Sequence, residues 1–191
     1  MTSDRATLRL EPAVMARVFI DGNRTRYPES PFLDLVVDGR SVRSLATQPA
    51  DDFVTELNRP WLADVANTVD RFLGRRPDED LAPGRIALLV CPMDGDLWCG
   101  QLTALLDIGA AEVSWSDFRW EDGYSDSRRE ERLDQPLVFD RAQYEAVFAD
   151  AYRRVAAFAY DELAHRGRRF LWPWQWGWRL PPREGWPSPT E

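Results

Sequence analysis

At 191 residues with 44% apolar content, the chain is sized for one domain with a real core. A net charge of −8 argues against a nucleic-acid binder, which needs a basic face. The best apolar run, Ile86 to Val90, is far too short to cross a bilayer, and no apolar leader opens the sequence, so the expected location is cytoplasmic.

In chain order, Val14 to Ile20 reads as a strand ending at Asp21-Gly22, and Leu33 to Val37 as one ending at Asp38-Gly39. An Asp-Gly pair between apolar runs is a strong hairpin signal, because both turn positions favour positive φ. Leu33, Leu35 and Val37 alternate with their neighbours as in a half-buried strand. Asp51 or Asp52 is placed to cap a short helix over Phe53 to Leu57. A second helix is expected from Trp61 to Leu73, with Pro60 at its first turn and Gly74 as its stop.

Arg75 to Gly84 reads as a surface connection, and Ile86 to Val90 as a central strand buried on both faces. Gln101 to Leu106 and Glu112 to Trp120 form a hairpin. Within it, Val113 and Trp115 have the opposite parity to Phe118 and Trp120, which predicts a β-bulge near Ser116-Asp117. Glu121 to Gln135 is charge-rich and reads as an exposed loop. A long helix is expected over Arg141 to His165, with Asp140 and Gln143 as a capping box and Gly167 as the stop.

The expected fold is therefore α+β: one antiparallel sheet of about five strands, with two helices on one face. It occupies residues 1–169, and a Trp- and Pro-rich extended tail over 170–191 packs on it.

All 24 basic residues are arginine, which removes lysine chemistry, and His165 is the only histidine. At the end of the long helix, His165 complements the helix dipole. The segment Cys91-Pro92-Met93-Asp94-Gly95-Asp96-Leu97-Trp98-Cys99-Gly100 gathers two thiols, two carboxylates and two glycines between strands.

Read as structure, it is a tight loop with glycines at positive φ, Asp94 and Asp96 bonding nearby amides, and Cys91 and Cys99 as small buried apolar groups. Read as chemistry, Cys91, Asp94, Asp96 and Cys99 would be a mixed zinc site or a thiol pair. The spacing is C-x7-C, whereas redox dithiols favour C-x-x-C. No metal or cofactor is expected.

This loop resembles that of a widespread actinobacterial family of small uncharacterised proteins, which carry a CPxCGDxxCG-like sequence after a strand. The matching pieces are Val90 to Gly100, Val113 to Phe118 and Phe139 to Tyr144, and Asp94 stands where the family's middle cysteine is expected. The resemblance implies a shared fold. The oxidoreductase label such proteins often carry has no supporting motif in this chain.

In the tail, Trp172, Trp174, Trp176 and Trp178 alternate with Pro173, Gln175 and Gly177, which gives an extended ribbon with one aromatic face. That face either completes the core or is a platform for a partner or a sugar.

Three functional classes follow. The first is a non-enzymatic protein-binding module, most concretely a toxin-neutralising immunity protein or similar antagonist. Its acidic residues Glu121, Asp122, Glu130 and Glu131 would steer towards a basic protein. The second is a small enzyme using the Cys91–Cys99 loop. The third is an accessory subunit docking through its tail. Nucleic acid and membrane are not expected as partners.

Overall fold

A computed structural model describes residues 5–15, 30–47, 50, 52–92, 95, 97–123 and 128–160, the side chains of Arg128 and Glu131 excepted. The expectations for residues 16–22, for Asp94 and Asp96, for His165 and for the tail with Trp172, Trp174, Trp176 and Trp178 fall outside those residues.

The fold is α+β with two antiparallel sheets rather than the single sheet expected. The first sheet contains β1 (Leu8–Met15), β2 (Ser30–Val37) and β3 (Arg40–Ser41), in that spatial order. Asp38 and Gly39, at φ 49° and 77°, make the β2–β3 turn, so the Asp-Gly signal is realised with both residues in the left-handed region. A short helix, α1 (Val42–Leu45), follows, capped by the Ser41 hydroxyl.

The strand expected at Val14 begins earlier, at Leu8. Its outward-facing groups are those of Ala6, Leu8, Leu10 and Pro12, because Thr7 turns its carbonyl towards β2 and accepts from Asp38 N–H. They are taken up one by one. Ala6 N–H bonds the Val138 carbonyl, Gln143 Nε2 donates to the Leu8 carbonyl at 2.6 Å, and Arg154 Nη2 donates to that of Leu10 at 2.7 Å. Pro12 has no N–H to expose. An edge so occupied is closed to further strand pairing over that stretch.

The second sheet is built from β4 (Arg85–Val90), β5 (Gln101–Ile108), β6 (Glu112–Glu121), β7 (Arg128–Arg129) and β8 (Leu137–Asp140). Its order is β4-β5-β6, and the outer edge of β6 is shared between β8 at Glu112–Trp115 and β7 at Arg119–Trp120. Two bulges interrupt the ladders. In β4 the register shifts between Ala87 and Leu89, so Leu88 and Leu89 both join the main core. In β6 the shift falls opposite Ala104, at Asp117–Phe118, with Asp117 at φ 49°. The parity mismatch in the sequence thus has its expected cause, and the bulge lets Val113, Trp115 and Phe118 all be buried.

Two strand roles are exchanged relative to expectation. All eight residues of β2 are buried, whereas its alternation suggested a strand half open to water. Strand β4 is buried throughout, as expected, but it pairs with only one strand of its sheet and is not central. Its other side is reached by the segment 53–58, which is extended rather than helical. Val54 exchanges both backbone bonds with Val90 (3.1 and 2.8 Å), and the Leu57 carbonyl accepts from Leu33 N–H of β2 at 2.9 Å. This segment therefore stitches one sheet to the other. Tertiary bonds from both sides override a cap signal too weak to nucleate one turn.

Helix α2 (Val65–Phe72) lies within the predicted helix, after a 3-10 turn at Arg59–Trp61. It buries Val65, Thr68 and Phe72. The predicted long helix is two: α3 (Arg141–Phe148), capped by Asp140 through Gln143 N–H, and α4 (Ala151–Ala156). The break is at Asp150, with φ −119° and ψ 11°. Tyr144, Phe148, Ala151 and Val155 are all buried, so the apolar period runs straight across the break and conceals it. Tyr152, next to buried Ala151, is exposed.

The main core joins both sheets, α2, α3 and α4. At its centre Trp115, Phe72, Phe139, Tyr144 and Phe148 form a continuous aromatic group, with Phe72 and Phe148 stacked at 4.9 Å. The polar atoms inside it are satisfied in a chain. Trp115 Nε1 donates to the Tyr144 hydroxyl at 3.1 Å, which donates to the Phe72 carbonyl at 3.0 Å. Burial pushes the Tyr144 hydroxyl far above the ordinary phenol range, so it acts only as a neutral group.

Candidate functional site: an aromatic rim at one end of the second sheet

Strand β4 delivers the chain into the Cys91–Gly100 loop, and β5 takes it back at Gln101. The described part of the loop is held by its own backbone. Gly95 N–H donates to the Cys91 carbonyl at 3.0 Å, Gly100 N–H to that of Leu97 at 2.9 Å, and Gln101 Nε2 to that of Gly95 at 2.9 Å. Both glycines sit at positive φ, as the tight-loop reading expects. The cysteines depart from the buried expectation, since Cys91 is only partly buried and Cys99 is exposed, and neither forms a disulfide. Among the described residues no group of three or more His, Cys, Asp or Glu is arranged to hold a metal ion, and Asp94 and Asp96 lie outside them.

Four aromatic rings gather around this loop, and glycine makes room for two of them, Trp61 and Trp98, while Phe53 packs at ordinary contact distance from Gly100. A Cβ on Gly95 would fall 3.2 Å from Cη2 of Trp61, one on Gly123 would fall 3.0 Å from Cε3 of Trp98, and one on Gly100 would fall 4.0 Å from Cζ of Phe53. Phe53 in turn meets Trp120 edge-on, with ring centroids 4.9 Å apart. Phe53, Trp61 and Trp120 are partly buried, while Trp98 is 55% exposed. The indole of Trp98 lies beside Gly123, just past the end of β6, where a side chain in place of the glycine would collide with it. This contact joins the Cys91–Cys99 loop to the acidic segment beginning at Glu121, two regions that the sequence offered separately.

The acidic residues themselves divide. Glu121 faces Arg85 (3.4 Å) and accepts from Thr103 Oγ1 at 3.1 Å. Arg85 is only 5% exposed, and it also bonds Thr103 Oγ1 (2.6 Å), Asp117 Oδ2 (3.0 Å) and the Asp117 carbonyl (2.9 Å). Glu121 and Asp117 therefore neutralise a buried cation beneath the bulge.

Glu130 is a correction to the expected exposed loop. It is 1% exposed, accepts from Trp120 Nε1 at 2.9 Å, and takes a further hydrogen bond from Thr47 N–H. Its role is to hold Trp120 and the 46–47 turn, and solvent steering is closed to it. The segment 121–135 is not a loop throughout, since β7 pairs Arg128 with Trp120 and a 3-10 turn starts at Glu131. Asp122 remains the carboxylate beside Gly123, partly exposed at the rim.

A second charged cluster tethers the rim to α2. Arg71 is paired with Glu56, with Asp64 at 3.2 Å and with Asp78 at 3.7 Å, and Thr68 Oγ1 donates to Glu56 at 3.1 Å. Burial pushes Glu56 above the ordinary carboxylate range, outweighing Arg71, and burial likewise raises Asp78. In β2, burial raises the Asp34 carboxyl against the opposing pull of Ser41 and Arg43.

Trp98, Trp61, Phe53 and Arg85 were not singled out from the sequence. Trp98 carried one signal: an indole between Asp96 and Cys99, in a loop with no apolar period to place it in a core. No described helix is long and apolar enough to cross a membrane. The chain matches no family model, no curated protein and no solved structure.

Proposed function

We propose that this chain is a protein-binding module whose contact surface is the aromatic rim, with Trp98 as its anchor. The observation that supports this reading is a half-exposed indole seated where the absence of a side chain at Gly123 leaves room for it. Large rigid aromatics of this kind lose little conformational entropy on docking and dominate interface energetics. An ordinary surface tryptophan with rotameric freedom would offer less. The most concrete form of the proposal is an antagonist that neutralises a toxic protein by stoichiometric binding.

The test places a photo-crosslinking amino acid at position 98, and separately at exposed Tyr152 on α4, in the native host. The expected result is a partner captured from position 98 and not from 152, with capture reduced by an added Trp61→Ala change at the same rim. Equal capture from both positions would remove the rim as the contact surface. A specific partner whose expression leaves growth unaffected would retain the binding module and eliminate the antagonist form.

A further inference from the structure

We infer that buried Arg85 is the positioning residue of the aromatic rim, a clamp from β4 that holds the end of β6 in the register on which the four rings meet. The inference rests on the binding reading above and names what shapes its contact surface. Three observations support it.

The first is the reach of one guanidinium. Arg85 is 5% exposed, so it offers nothing to a partner directly. Its Nη1 meets Asp117 Oδ2 at 3.0 Å, Nη2 donates to the Asp117 carbonyl at 2.9 Å, and Nε faces Glu121 at 3.4 Å. Thr103 of the intervening β5 accepts from Nη2 at 2.6 Å. A single rigid fork from β4 therefore holds β6 at its bulge and at its last residue, across the full width of β5.

The second is the register. The extra residue of the bulge falls between the pairs Leu105–Ser116 and Thr103–Arg119, so all of β6 beyond it is offset by one. A one-residue slip there would turn every side chain from Arg119 to Glu121 to the opposite face. Buried ion pairs add little net stability over apolar residues of the same volume, and fixing register is the best attested use of such groups.

The third is what hangs on the strand end. Trp120 meets Phe53, and Gly123 lies beside Trp98. Gln101 is the register partner of Glu121, and its Nε2 donates to the carbonyl of Gly95, which lies beside Trp61. All four rings are thus tied to the last residues of β6 or to the strand paired with them.

The experiment compares Arg85→Lys, Glu121→Gln and the double variant in the full chain. Lysine keeps the charge, but as a point donor on a flexible stem it cannot hold the bulge and the strand end together. One readout is the indole N–H resonances of Trp61, Trp98 and Trp115, assigned by their loss in Trp61→Phe, Trp98→Phe and Trp115→Phe. The other is photo-crosslink capture from position 98. Both single variants are expected to shift the Trp61 and Trp98 resonances and to leave that of core Trp115 in place. Capture should fall about threefold or more in Arg85→Lys, and the double variant should be no worse, because both changes break one clamp. Should Arg85→Lys not fold, Glu121→Gln, which keeps the shape of its side chain, carries the same test.

Rim resonances unmoved in every variant that folds, or moving only together with that of Trp115, would overturn the inference and leave Arg85 a general structural residue. Shifted rim resonances with undiminished capture would uphold the clamp and count against the rim as the contact surface.

Discussion

The molecule uses aromatic residues in two ways, and the contrast lies in what backs each ring. In the core, Trp115 is fully buried between Phe72, Phe139 and Tyr144, and its N–H is spent on the Tyr144 hydroxyl. At the rim, Trp98 and Trp61 lie against glycine backbone, and Trp98 keeps more than half its surface in solvent. A ring backed by other rings is committed to stability. A ring beside glycine is given room without being covered, which leaves surface for something else. Trp120 stands between the two, its N–H satisfied by a buried carboxylate while its ring edge meets Phe53.

The largest expected effect tests the core half of this contrast. Trp115→Ala removes a fully buried indole and leaves the Tyr144 hydroxyl without a donor, so unfolding should become easier by about 3–5 kcal/mol in denaturant titration. A loss below about 1 kcal/mol would mean the aromatic group is not the centre of the core.

Next is the hinge of the rim. Gly123→Ala puts a Cβ 3.0 Å from Trp98 at φ 67°, and should cost about 1–2 kcal/mol for the left-handed backbone alone. It should also displace the indole, visible as a changed Trp98 resonance and as lost binding at the rim. A variant of unchanged stability whose Trp98 resonance has not moved would show that the glycine does not orient the ring.

The smallest effect is a slope. Glu56 sits in the segment that carries Phe53 to the rim, and Arg71 tethers it to α2, which supplies Phe72 to the core. Because burial raises the Glu56 carboxyl, the native state holds its proton more tightly than the unfolded chain does. The stability this group contributes is present in acid and lost as pH rises from the ordinary carboxylate range through the raised value. Wild type should therefore lose stability relative to Glu56→Gln as pH rises through that window. Parallel pH profiles would show that Arg71 cancels burial, and a wild type that gains stability relative to Glu56→Gln as pH rises would show that Arg71 outweighs it.

Local patterns determined much of this protein. Asp38-Gly39 specified a turn because both residues tolerate positive φ, and Asp140 specified a helix start because its carboxylate reaches the Gln143 amide. The parity change between Trp115 and Phe118 required a bulge, since side chains on a strand alternate whatever it packs against. The α+β class and the burial of β4 also followed from the apolar pattern.

Only the tertiary structure decided the rest. Segment 53–58 is extended because Val90 and Leu33 bond it from two sheets, and neither is near it in sequence. Glu130 is buried because Thr47 and Trp120 supply its donors, which no count of charges along 121–135 reveals. The rim exists because Trp98 meets Gly123 and Trp61 meets Gly95 across turns of separate strands and helices. The reason is the same in each case: sequence patterns report what a residue can do with its chain neighbours, whereas burial and orientation are set by partners that only folding brings within reach.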